Sequence, residues 1–159
     1  MESKISIVQL IQLMLAPGLM ISACGLLILG MNNKYSLVVN RIRLLNEEKR
    51  KFFSKAGEKD FKYEEDIRLQ SLSMQLTDLI FRVKLVRNSV LSYTIAVAFF
   101  VLTSLLIGLQ FVLGNENLNF LVTALFLLGM ILVLIGVIYA AYETKKGYDI
   151  IHLEVKIDE

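Results

Sequence analysis

Three long stretches of the chain carry no charge: residues 5–33, 88–115 and 117–142. Each exceeds the roughly 20 residues a helix needs to cross the hydrocarbon core of a bilayer, so the pattern predicts an all-α membrane protein with three transmembrane helices. The first run is longer than a span requires and holds Pro17-Gly18. Proline lacks a backbone donor and crowds the turn before it, which predicts a kink near 17–18, or a short interfacial helix over Ile5 to Leu15 followed by the span proper. The second span is expected over Ser89 to Leu113 and the third over Leu118 to Tyr142, joined by a tight turn at Gly114-Asn115-Glu116-Asn117.

The apolar pattern of the first segment, residues 1–33, passes without a break into a charged one. Nothing between Gly18 and Glu48 has to end a helix, so this stretch is predicted to be one continuous rod. Wound at about 100° per residue, it places Gly18, Ser22, Gly25, Leu29, Asn32, Ser36, Asn40, Arg43 and Glu47 within roughly 40° of one line. Only Leu29 among them is bulky and apolar. A stripe that is small where the helix lies in lipid, and polar where it leaves, suits contact with another helix or with water better than contact with acyl chains.

On the other side of the rod, Val38, Ile42, Leu45 and Phe52 form an apolar back face that needs a cover. The return segment supplies one. Leu69, Leu72, Leu76, Leu79, Val83, Val86 and Val90 are spaced alternately three and four residues apart, a heptad seam. The two faces predict that residues 34–88 form an antiparallel helical hairpin with its tip near Ala56-Gly57-Glu58-Lys59-Asp60. Arms of about 20 residues would project it roughly 30 Å from the membrane. The seam of the return helix could also meet a neighbouring subunit.

Charge then orients the spans. Residues 34–87 hold 13 of the 17 Lys and Arg, which by the positive-inside rule places the hairpin in the cytoplasm, the N-terminus outside and the C-terminus inside. Lys145 and Lys146 agree, and Tyr93, Tyr139 and Tyr142 fit the cytoplasmic interface as anchors. Mean hydropathy of +0.60 and 55% hydrophobic residues support the membrane class. The formal net charge of +2, with acids mixed among the bases, argues against nucleic acid as a partner, and a basic collar beside anionic headgroups accounts for the cations. In the third span Gly129, Gly136 and Ala140 mark a face for close helix approach.

The tail, residues 143–159, changes period. Ile151, Leu153, Val155 and Ile157 alternate with His152, Glu154, Lys156 and Asp158, a strand pattern over 150–157. The chain offers no second strand, so a C-terminal β-strand would have to pair with copies of itself, and a frayed tail is the alternative. Ile21-Ser22-Ala23-Cys24-Gly25 has the residue types of a lipoprotein cleavage site, yet Glu2 lies in the would-be basic leader and Leu26 to Met31 continue the apolar run. Cys24 therefore reads as a packed thiol, and as the single Cys it allows no intrachain disulfide. With one His, no metal-ligand spacing, no phosphate-cradling Gly-rich loop and no Ser, His and acid set, the chain reads as a non-enzyme without cofactor or metal.

Leu15-Ala16-Pro17, Ala23 to Gly25, Asn33-Lys34 and Val39-Asn40-Arg41-Ile42-Arg43-Leu44 resemble, in this order, the signature of a bacterial family of small membrane proteins known as domain of unknown function 2721. The resemblance covers roughly Ile5 to Lys146. It marks Pro17, Asn33, Lys34, Asn40, Arg41 and Arg43 as motif positions, with Lys34 where Arg is usual and Asn40 where Asp is usual. It implies the three-span fold and a bacterial inner-membrane location, and brings no activity.

Two functions fit these features. Copies of the chain could set the rod around an axis, stripe inward, as a homo-oligomeric pore or ion channel with Leu29 as a hydrophobic constriction. The same small residues could instead let helices pack closely in a structural or partner-binding scaffold that transports nothing.

Overall fold

The computed structural model describes residues 7–56, 63–113 and 118–157. They form three helices: α1, Ile7–Ala56; α2, Tyr63–Leu113; and α3, Asn119–Ile157. No strand occurs among the described residues. Each helix contains a segment long and apolar enough to cross a membrane. Only 11%, 17% and 11% of those segments is buried within the chain, so their leucines, isoleucines and valines face outward, where lipid rather than water must meet them.

Two expectations need correction. The tail does not form a strand: α3 continues as helix through Ile157, so the predicted third span is only the first part of a 39-residue helix. Helix supplies every backbone partner from within the segment, whereas a single strand leaves its backbone groups unpaired, and this decides against the side-chain alternation. Nor does Pro17 separate a short interfacial helix from the span, for α1 runs unbroken through it. Pro17 is fully buried, and its packing is set against the lost backbone bond. Residues 57–60 of the predicted tip and the predicted turn at 114–117 lie outside the described residues.

The chain divides into two compact units, one comprising residues up to 31 with 88–139, the other 32–87 with the residues from 140 onward. In the first unit, Cys24 of α1 packs with Ala96 and Phe100 of α2, and Met20, Ile21, Val97, Phe126, Leu132 and Val133 close around them. Phe100 and Phe126 meet with ring centroids 5.5 Å apart at a tilt of 58°. The α2–α3 contact depends on glycine: the Phe100 ring lies over Gly129 and the Tyr93 ring over Gly136. Ser89, one turn from Tyr93 and fully buried, donates a 2.8 Å hydrogen bond to the Gly136 carbonyl.

In the second unit the back face of α1 meets the seam of α2. Val38, Leu45, Leu72, Leu76 and Leu79 are buried together, with Ile42, Phe52 and Val83 packed against them. Burying a leucine side chain in such a cluster contributes about 1.5–3 kcal/mol. Glu48 of α1 and Arg68 of α2 add an exposed ion pair at 3.0 Å, worth little at that exposure.

A methyl group on Gly136 would come within 2.5 Å of the Tyr93 ring, whereas one on Gly108 would meet nothing within 4 Å. Gly136→Ala is therefore expected to cost roughly 1–3 kcal/mol by overpacking, and Gly108→Ala to be neutral or stabilising by less than about 1 kcal/mol. Unfolding of both variants in detergent, followed by circular dichroism, checks the contrast.

Candidate functional site

Helix α1 presents two faces of opposite character. Pro17, Cys24 and Met31, seven residues apart, are buried in the first unit, and Val38 and Leu45 continue that spacing as buried residues in the second. The stripe lies elsewhere on the helix. In the first unit Gly18, Ser22, Gly25 and Leu29 are all exposed, Leu29 at 59%. A Cβ at Gly18 or Gly25 would meet nothing within 4 Å. The Ser22 hydroxyl turns back to donate to the Gly18 carbonyl at 3.3 Å, which satisfies it without a neighbouring helix.

In the second unit Asn32, Ser36, Asn40, Arg43 and Glu47 are likewise exposed. Arg43 and Glu47 stand one turn apart, and neither takes part in the ion pairs formed among the described residues. The same line continues to Arg50 and Ser54, both exposed, and upstream of Gly18 it becomes apolar at Ile7, Ile11 and Met14. All nine predicted positions are thus exposed, and among the described residues none belongs to either buried apolar cluster.

The motif positions separate in the same way. Pro17 is buried, Asn33, Asn40, Arg41 and Arg43 are exposed, and Lys34 is half-buried. Its Nζ donates to Glu143 Oε2 at 3.1 Å and to Thr144 Oγ1 at 2.8 Å. Arg82 reaches the same carboxylate from α2, with Nη2 and Nε at 2.7 and 3.1 Å from Oε1. Glu143 is 1% exposed, whereas the side chains of Lys34 and Arg82 are 42% and 22% exposed. Two cations converge on one acid, so the cluster carries a net positive charge.

Gly147, one turn beyond Glu143, gives the guanidinium room, because a Cβ there would come within 2.8 Å of Arg82 Nη2. Sequence reasoning missed this cluster, although a signal was present: Gly129, Gly136 and Glu143 fall seven residues apart, which puts an acid in the same heptad register as the two glycines. Among the described residues no group of three His, Cys, Asp or Glu could hold a metal ion.

The three long apolar helices and the outward-facing apolar surface define a multi-pass membrane protein. Residues 14–153 match the family DUF2721, described as a protein of unknown function, and the chain belongs to that family. No curated protein and no solved structure matches it.

Removing the acid leaves two cations facing each other around a buried position. Glu143→Ala is expected to lower the unfolding free energy by roughly 3 kcal/mol or more, against less than about 1 kcal/mol for Glu48→Ala in the exposed pair. Denaturant titration in micelles measures both, and equal effects would refute the distinction.

Proposed function

We propose that this protein assembles with copies of itself around an axis normal to the membrane and conducts ions along α1. The observation that carries the proposal is the exposure of the whole stripe. Each half of α1 buries one apolar face in its own unit and leaves small and polar positions uncovered. A helix that met only lipid would gain nothing from Gly18, Ser22 and Gly25 on its outer side, whereas helices gathered around an axis need small residues to approach closely. Leu29 then forms the narrowest ring and closes by excluding water, and Asn32, Ser36 and Asn40 line a polar inner mouth.

In this arrangement α2 and α3 stand behind α1, towards lipid. Residues 34–88 form the cytoplasmic hairpin, the N-terminus lies outside, and the membrane is a bacterial inner membrane. Basic residues on the cytoplasmic side of the spans support that orientation. A scaffold reading draws its support from Ile7, Ile11 and Met14, which make the outer end of the line apolar and suit a packed contact.

The mass of the assembly in lipid nanodiscs tests the pore first: a ring of four or more copies is expected, and a monomer or dimer would sink it. Leu29→Ser is then expected to raise ion flux into liposomes without changing thermal unfolding, since the side chain touches little within the chain. A packing position would instead lose stability and leave flux at background.

A further inference from the structure

We propose that the ion carried is an anion. This rests on the reading of α1 as the pore-lining helix and concerns the sign of the charge that passes. From Leu29 inward the line reads Asn32, Ser36, Asn40 and Arg43, all exposed, and meets no carboxylate before Glu47. Asparagine and serine both donate and accept hydrogen bonds, so they do not choose a sign. The first charge on this line past Leu29 is Arg43, 14 residues further along the chain.

Glu47 follows one turn later and Arg50 less than one turn after that. Each copy thus sets two guanidiniums and one carboxylate on the line, with the carboxylate between them. The seven residues from Arg43 to Arg50 span only about 10 Å, close to the screening length of about 8 Å at physiological salt. A passing ion therefore responds largely to the sum of the three charges, which is one positive charge per copy, multiplied by the number of copies in the ring.

Besides Glu47, the acids of this unit whose side chains are described are Glu48, Asp78 and Glu143. Glu48 is held by Arg68, and Glu143 is buried between Lys34 and Arg82. Asp78 lies exposed on α2, while Arg41 and Lys51 add exposed positive charge on α1 itself. Rings of arginine with hydroxyl and amide donors are a recurrent way of passing anions.

The test is the reversal potential of purified protein in a planar bilayer under a potassium chloride gradient. It is expected on the chloride side of zero. Arg43→Glu should shift it towards potassium and Glu47→Gln further towards chloride. Both side chains are exposed, and an unchanged thermal unfolding midpoint confirms that each variant is folded. A parent current that reverses on the potassium side overturns the anion assignment and leaves the pore standing. A selectivity that neither substitution moves also overturns it, because the charges on this line then do not set the sign. The absence of any current, in the parent and in Leu29→Ser alike, overturns the pore and this inference with it.

Discussion

Hydrocarbon offers no partner to a backbone N–H or C=O, and this constraint governs the whole architecture. Each crossing has to satisfy its own backbone, so each is a helix, and polarity can enter only through side chains. Here those side chains are distributed unevenly. Ser89 and Thr103 are fully buried and bond to the Gly136 and Phe99 carbonyls. Ser22 is exposed, and its hydroxyl bonds within its own helix. The buried hydroxyls inside the first unit therefore have local partners, while the small and polar positions of the α1 line are exposed.

The second unit solves a different problem. Its apolar seam supplies contact area but little directional preference, since aliphatic side chains slide and repack at modest cost. The Glu143 carboxylate adds direction, with two bonds from Arg82 on one oxygen and one from Lys34 on the other. Such a cluster stabilises less than its distances suggest, because the carboxylate has to be stripped of water. Its two oxygens, each bonded from a different helix, give the three-helix contact a direction that the apolar seam lacks.

Much of this was legible in the sequence. The charge-free runs gave the three helices, because length and apolarity alone decide what can cross a bilayer. Of the alternating spacing from Leu69 to Val90, Leu72, Leu76, Leu79 and Val83 pack against the predicted face of Val38, Ile42, Leu45 and Phe52, because helical period maps directly onto one side of a helix. The tail was misread because Ile151 to Ile157 satisfy a strand pattern by side chain alone, and the pattern carries no information about backbone partners. Glu143 was missed for a related reason: an acid at the end of a span usually marks the water boundary, and its burial depends on Lys34 and Arg82, 109 and 61 residues away in the chain.

Cys24 is the only cysteine in the sequence, and it is sealed against Ala96 and Phe100. The surface therefore offers no thiol to an oxidant on either side of the membrane. A single cysteine introduced on the surface of the described helices would be the only accessible thiol there, a clean handle for a label or cross-linker.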